Sequence, residues 1–470
     1  MVSDQCAGRR TVLALFVALL GAVAASAQDS ETADSTPPAA IVDQITGGPF
    51  QVSVIFTNLA GDPSSAVPGL PGASFQPGTG TTQFDRVFGS PSGLWILTAD
   101  TDRPAGTDEV LVVDSMLGAV EGDPASWTGG TEAIGSLETR CGVNDSGDWV
   151  FATNTDGPTG ADEYIVRSTA GVLAAVAHEG QPVAAIPGAT WGSTLESAQI
   201  AADGTVGLVS DSLGGVPTAE NEAFLFGSGL LAREGESPLG QVGTEVWENF
   251  DVNDAWVSAD GARWIAQGDL TGATATDDVV VVDREVVVQE GVVVAGSGFV
   301  SPVDSVQGVH MSASGVWMVR GDNDDGLDWV LVDGAVVAQT GTPFIGGAVE
   351  RWDDTDFSDC YFLHVANSAG DFVVGGVTDA ASDVNGVLAL NGTTEIVRES
   401  DPIDLDGDGL FDDDAFFDTF GNDDAHLTDA GLLYLVATIK DGSGTRTGQG
   451  FFSIDLTGVI PVELQSFTID

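Results

Sequence analysis

Apolar residues in this chain gather in short β-rich runs, such as Glu163-Tyr-Ile-Val-Arg167 and Val172-Leu-Ala-Ala-Val-Ala177, with polar turns between them. No segment sustains the 3.6-residue period of a helix. The runs recur in a fixed order. A turn ending in glycine and followed at once by an apolar strand appears as Ser90-Pro-Ser-Gly93-Leu-Trp-Ile-Leu97, Asn144-Asp-Ser-Gly147-Asp-Trp-Val-Phe151 and Ala201-Ala-Asp-Gly204-Thr-Val-Gly-Leu208. It returns as Ser258-Ala-Asp-Gly261, Ser312-Ala-Ser-Gly315, Asn367-Ser-Ala-Gly370 and Thr428-Asp-Ala-Gly431, each again leading into an apolar run. The glycines are 54, 57, 57, 54, 55 and 61 residues apart. Six of the seven turns open with Ser, Asn or Thr, whose side chains bond nearby backbone, and glycine supplies the positive φ of a tight hairpin.

A second mark follows each turn at a steady distance: Glu121-Gly-Asp-Pro124, Glu179-Gly-Gln-Pro182, Glu234-Gly-Glu-Ser-Pro238, Glu290-Gly-Val292, Thr340-Gly-Thr-Pro343 and Glu399-Ser-Asp-Pro402. Two β-rich runs lie between the marks and one precedes each turn, so each repeat holds four short strands. Three connections are short, and one of roughly 14 residues leads to the next repeat. Four strands per repeat of this length predict a propeller blade. A string of sandwiches would need about 100 residues per unit.

The seventh repeat stops after Leu432–Val436 and Gly450–Ile454, without a fourth strand or a Glu-Gly mark. The chain start supplies that piece, Val52-Ser-Val-Ile-Phe56 followed by Leu59-Ala-Gly-Asp-Pro63. The expected fold is therefore all-β, a seven-bladed β-propeller of four-stranded blades over 49–457, closed by its N-terminal strand. Closure leaves no exposed sheet edge at the seam.

The turns Asn144-x-x-Gly147 and Asn367-x-x-Gly370, each leading into an aromatic-bearing strand, resemble the bacterial exported proteins built from tandem NxxGxxAF repeats. The resemblance spans about 50–456. It implies a secreted repeat protein and no established reaction. The tail Ile460-Pro-Val-Glu-Leu-Gln-Ser-Phe-Thr-Ile469 resembles the start of a C-terminal sorting module, expected here to be absent or truncated because the chain ends at Asp470.

Composition adds an address and a charge. Arg9 and Arg10 precede the apolar run Val12–Ala25, and Ala25-Ser-Ala27 has the form of a cleavage site, so 1–27 reads as a signal peptide. Residues 28–48 read as a flexible polar leader and 458–470 as a tail. No later stretch is apolar enough to span a membrane. The chain carries 71 acids against 14 Lys plus Arg, for a net charge of −57. That balance excludes a duplex nucleic-acid binder, which needs a basic footprint. Acid excess with a single lysine, Lys440, suits a salt-rich exterior as well as it suits an ordinary acidic secreted protein. Beyond the signal peptide only Cys141 and Cys360 remain, too few for a disulfide framework, and both are expected to be buried free thiols.

The sharpest local motif is Asp404-Leu-Asp406-Gly-Asp408-Gly-Leu410-Phe-Asp412-Asp413-Asp414. Acids at positions 1, 3, 5 and 9, Gly at 6, and Leu410 offering a carbonyl copy the first part of a calcium loop. Ala415 stands where the bidentate Glu belongs, with Asp413 or Asp414 as the substitute. A solvated acidic loop is the other reading. Asp322, Asp324, Asp325 and Asp328 form a weaker candidate.

Counting back from each turn glycine, the innermost strands bring Arg86, Arg140, Asp254, His310, Asp424 and His426 toward the central channel, if period-two alternation holds. Two arginines there suit a carboxylate or a sugar acid. A structural ion-pair ring fits as well. His364 is not placed, because its strand breaks the alternation. Trp95, Trp149, Trp317 and Phe372 recur at one repeat position and read as core. Trp127, Trp191, Trp247 and Trp352 lie near inter-blade connections and are candidates to face a ligand. Neither a paired-His metal motif nor a nucleophile elbow is present. The expectation is a secreted, periplasmic or surface-held bacterial binding module, stabilised by calcium, with a small ligand, a glycan or a surface protein as partner. A hydrolase or lyase on an acidic or sugar substrate, and a purely structural surface protein, are the alternatives.

Overall fold

The computed structural model describes residues 50–80, 83–137, 140–251, 253–355 and 359–458, with the side chains of 421–424 left aside. The signal peptide and leader expected over 1–48, and nearly all of the tail, lie outside the described residues. Seven antiparallel four-stranded sheets form the ring of a seven-bladed β-propeller. The innermost strands of blades 1 to 7 are Phe84–Gly89, Cys141–Val143, Leu195–Ile200, Ala255–Val257, Val303–Met311, Tyr361–Ala366 and Phe416–Leu427. Among the described residues the only helical segments are single 3-10 turns, and no helix is long and apolar enough to cross a membrane.

Blade 7 closes as the ends of the chain predict. Gln51–Thr57 pairs antiparallel with Arg446–Asp455, with Val52 opposite Ile454 and Val54 opposite Phe452. Phe56 locks the joint from the apolar side, its ring 5.0 Å from Phe75 and 5.7 Å from Trp95.

The hydrophobic core is divided into seven wedges, each between two neighbouring blades. The wedge between blades 1 and 2 holds Ile96, Leu111, Cys141, Trp149 and Phe151. That between blades 4 and 5 holds Ile265, Val280, Val309, Trp317 and Trp329. Trp95, Trp149 and Trp317 are thus core, as their common repeat position predicts. Of the four ligand-facing candidates, Trp247 and Trp352 are buried packing residues too, Trp127 packs edge-on against Phe151 and Tyr164, and Trp191 is partly buried against the wedge between blades 2 and 3. The inter-blade connection tucks inward to cover the wedge, which turns these indoles away from solvent. Cys141 and Cys360 are free and buried, and burial pushes each thiol up to about 12.

The second repeat mark ties the blades together. The glutamate of each Glu-Gly step caps the backbone at the start of its own third strand, as Asn221 N donates to Glu234 Oε2 at 2.7 Å and Asp162 N to Glu179 Oε2 at 3.3 Å. The acid at the start of that strand accepts from the next blade. Phe250 N donates to Glu222 Oε2 at 2.9 Å, Val306 N to Asp278 Oδ2 at 3.0 Å, and Cys360 N to Asp328 Oδ2 at 2.6 Å.

Candidate functional site in the central channel

The seven glycine turns surround one mouth of the channel. All seven glycines have positive φ, from 68° at Gly261 to 108° at Gly93. The residue opening each turn acts as predicted: Asn144 Oδ1 accepts from Ser146 N at 3.0 Å and from Asp148 N at 3.1 Å. Its Nδ2 does something the sequence did not announce, donating to Ala201 O in the next turn at 3.0 Å. Asn367 Nδ2 does the same toward Thr428 O at 3.3 Å.

Hydrogen bonds run from turn to turn around the whole mouth. Ser92 N donates to Asp145 Oδ1, Ala202 N to Ala259 O, Ala259 N to Ala313 O, Ser314 Oγ to Ser368 O, and Ser368 N to Asp429 Oδ1. Asp429 N returns to Pro91 O at 2.9 Å and completes the circuit.

Deeper in, the inner strands present their backbone edges to the channel, and side chains fill the ladder positions a further strand would take. Arg140 Nη1 reaches past blade 3 to donate to Asn253 O at 2.8 Å and Ala255 O at 2.9 Å. Gln199 acts as a peptide group, its Nε2 donating to Ala255 O at 2.6 Å and its Oε1 accepting from Val257 N at 2.8 Å. Asp254 Oδ1 accepts from Val309 N at 2.8 Å, and Trp256 Nε1 donates to Val309 O at 2.9 Å. His310 Nδ1 accepts from Ala366 N at 3.4 Å.

Arg140 also closes the channel. Its guanidinium lies 3.4 Å from the centre of the Trp256 ring and 5.4 Å from that of Phe88. Stacking of this kind holds a buried cation by the ring quadrupole. The plug separates a cavity of about 110 Å³ on the turn side, reached by His426, from one of about 80 Å³ on the other side, lined by Arg86, Asp254 and His364. Arg140, Trp256 and His310 line both.

Burial sets the protonation states. It draws the affinity of Arg140 for its proton downward, with Asp254 opposing and Arg86 reinforcing. Arginine stays charged all the same. Burial lowers His310 to about 3 and His426 to about 4, and takes His364 well below its ordinary range. All three imidazoles are neutral at pH 7.

Five of the six predicted channel residues thus line the channel. Asp424 lies among the residues whose side chains are not described. His364 joins the five, and the alternation had left it unplaced. Odd positions before the turn glycine point toward the following blade, whereas His364, at an even position, points back to blade 5, where Arg320 and His310 influence it. Gln199 and Trp256 carry more of the geometry than any sequence motif suggested, because only the closed ring brings them to a neighbour's backbone.

In the calcium-like loop, carboxylate oxygens of Asp404, Asp406 and Asp413 lie within 4.8 Å of one another, the only such group among the described residues. Asp408 and Asp412 are not in that cluster. Asp408 Oδ1 accepts from Leu410 N at 2.8 Å, and Leu410 is 56% exposed. Asp404 accepts from Gly407 N and Gly409 N at 2.8 Å, which wraps the backbone round its carboxylate. The acids of 322–328 face separate partners instead: Ser305 Oγ for Asp322, Ser301 Oγ for Asp325 and Cys360 N for Asp328.

No family model matches the chain, and no curated protein does. Among solved structures, the WD40 propeller domain of Doa1 is similar at 12% identity and a TM-score of 0.33, over 86% of this chain and 97% of that one. A protein of unknown function from Dyadobacter fermentans is 10% identical at a TM-score of 0.28, over 82% of this chain and 99% of the other. Prolyl oligopeptidase B from Galerina marginata is 12% identical at 0.33, over 79% of this chain and 47% of that protein.

Proposed function

We propose that the chain is an exported bacterial propeller of the NxxGxxAF kind, a non-catalytic binding module that works in a secreted, periplasmic or surface-held setting. Its channel is the hub of the scaffold, and recognition belongs to the outer loops and the clefts between blades. One observation carries this reading: Arg140, Gln199, Asp254 and His310 each bond the backbone of another blade, and Arg140 is stacked on Trp256 across the channel. Groups held this way have little freedom to turn over a substrate. The neutral histidines support it, since a general acid or base works best with a pKa near the working pH. Calcium at Asp404, Asp406 and Asp413, with Asp408, Leu410 and Asp412 alongside, belongs to the same proposal as a stabilising ion. So does export, for which the signal-like segment 1–27 is the support.

A second reading has one observation behind it. Arg140 Nε and Nη2 are buried with no hydrogen-bond partner among the described residues, beside the cavity of about 110 Å³. A hydrolase or lyase on an acidic or sugar substrate would use such a guanidinium. The two readings separate in one assay. Wild-type protein and Arg140→Met are incubated with acidic and neutral polysaccharides below the melting temperature of both. No turnover by either supports the binding module. Turnover that the substitution abolishes replaces it with the enzyme. Mass spectrometry of the exported protein tests the address, with a mature start at Gln28 as the expected result.

A further inference from the structure

A cavity with a volume of about 530 Å³ lies away from the channel, between blades 6 and 7. That is within the range of small-molecule sites. Strand register is broken beside it. The innermost strand of blade 7, Phe416–Leu427, slips against its neighbour between Phe417 and Phe420 and again between Phe420 and Ala425.

The lining combines three kinds of surface. Phe362 and Phe420 lie nearly parallel, at 17° with centroids 6.1 Å apart, and present an apolar wall. Glu399 and Asp418 offer carboxylates, and both are already neutralised. Lys440, the only lysine in the chain and 8% exposed, has Nζ 3.3 Å from Glu399 Oε1 and 4.0 Å from Asp418 Oδ1. Arg446 Nε lies 2.5 Å from Asp418 Oδ2. The third surface is a set of unused amides. Gln449 is 2% exposed, its Oε1 accepts from Gln83 N at 3.0 Å, and its Nε2 has no hydrogen-bond partner among the described residues. The Asn385 side chain is likewise without one.

We propose that this cleft binds a neutral sugar unit of a glycan. A sugar ring carries hydroxyls that both donate and accept along its edge and an apolar C–H face. The cleft matches it with carboxylate acceptors, amide donors, the Thr419 hydroxyl, which already shares a hydrogen bond with the Thr438 hydroxyl at 2.7 Å, and an aromatic wall. A cation is disfavoured, because Lys440 and Arg446 already hold both carboxylates. An anion is disfavoured by the −57 charge of the chain. The inference rests on the reading of the chain as a binding module and gives that module its ligand class.

The test is titration calorimetry with cellobiose, maltose, lactose and chitobiose, and with glucuronate and spermidine as charged counterparts, on the wild type and on Asn385→Ala/Thr419→Val. Both substituted residues lie outside the hydrophobic core, and the variant gives up one protein hydrogen bond, Thr419 Oγ1 to Thr438 Oγ1, so it is expected to stay folded with at most a small fall in melting temperature. At least one neutral disaccharide should bind, and at least about tenfold more weakly to the variant, the equivalent of about 1.4 kcal/mol. Absence of binding by all four, equal binding by the variant, or preference for either charged probe overturns the assignment. Chromatography of the bound sugar separates the two levels of the reading. Cleavage that the variant loses keeps the cleft as the sugar site and removes the non-catalytic proposal.

Discussion

Asn58 and Gln449, 391 positions apart, hold each other by two hydrogen bonds: Asn58 N donates to Gln449 O at 3.1 Å, and Gln449 N donates to Asn58 Oδ1 at 2.6 Å. Asn58 Nδ2 goes on to Gln76 O and Gly78 O, and Gln449 Oε1 receives Gln83 N. One asparagine and one glutamine therefore join the N-terminal strand, blade 7 and the entry to blade 1. Replacing Asn58 with Ala leaves buried backbone groups bare, each at a cost of about 1–3 kcal/mol. A loss of about 3 kcal/mol in chemical denaturation is the expected result. Deleting residues 50–57 should do more, because two sheet edges appear where none existed. A deletion protein that melts with the full chain would mean that the seam is not needed.

Arg140→Met tests the structural role of the channel. The substitution keeps an unbranched apolar stem but removes the donor to Asn253 O, while Ala255 O keeps Gln199. The stack on Trp256 goes with it. Together these are worth about 3 kcal/mol, from a bare buried carbonyl and a desolvated cation–π contact. Stability unchanged in urea would show that Arg140 is dispensable to the ring.

Acidity should stabilise the protein before it harms it. Burial, reinforced by neighbouring acids, pushes Glu163, Glu222, Asp278 and Glu290 up to about 7 and Asp328 to about 6. A carboxyl with a raised folded value binds its proton more tightly in the ring than in the open chain, so stability grows as pH falls through 7. The histidines act in the opposite sense. His310 and His426, lowered to about 3 and about 4, withdraw stability as pH falls below their unfolded value near 6.5. Between pH 8 and 6.5 the raised carboxyls take up more protons in the ring than the imidazoles do in the open chain, so the melting temperature should rise over that interval and rise less steeply below it, where the imidazoles oppose the carboxyls in full. Flat melting from pH 8 to 6.5 would contradict this, and Glu222→Gln/Asp278→Asn should reduce the slope.

Calcium is expected to raise the melting temperature. Asp404, Asp406 and Asp413 repel one another without a cation, and an ion bound only by the folded loop adds about 2.7 kcal/mol at a hundredfold excess over its Kd. Asp404→Asn/Asp413→Asn should abolish the gain and Asp408→Asn should leave most of it, because Asp408 lies outside the cluster. Calorimetry with calcium against chelator decides: equal melting temperatures dismiss the ion.

A Cβ at Gly89 would overlap the His426 ring, where blade 1 meets blade 7 at the channel. Gly89→Ala should therefore cost about 1–3 kcal/mol by overpacking. His426→Ala in the same chain should recover part of that loss, a coupling measurable by a double-mutant cycle.

The ring was legible because turn chemistry is local. Gly147 needs a positive φ and Asn144 needs N–H groups within its own turn, so both leave a mark at fixed spacing. The closing strand was legible for the same reason, since Glu121-Gly-Asp-Pro124 has a counterpart in Leu59-Ala-Gly-Asp-Pro63 only if the chain start completes the last blade. What spacing could not reveal depends on closure. Arg140 meets Asn253 O only because the ring bends the chain back on itself across a separation of 113 residues. Asp413 joins the acid cluster through the fold of its loop, which motif counting from Asp404 does not resolve. The blade 6–7 cleft left a single trace, the interval of 61 residues between Gly370 and Gly431, longest of the series.

The strand Gln51–Thr57 is the first part of the ring to be made and the last to find its place. Its partner, Arg446–Asp455, follows nearly 400 residues later, so at about 5–20 residues per second of synthesis the strand waits roughly 20–80 s for it. Until then six blades and most of a seventh form an open arc with an unpaired strand at one end. The seam therefore acts as a proofreading step on length, because a chain that stops short of residue 446 has nothing for its first strand to clasp.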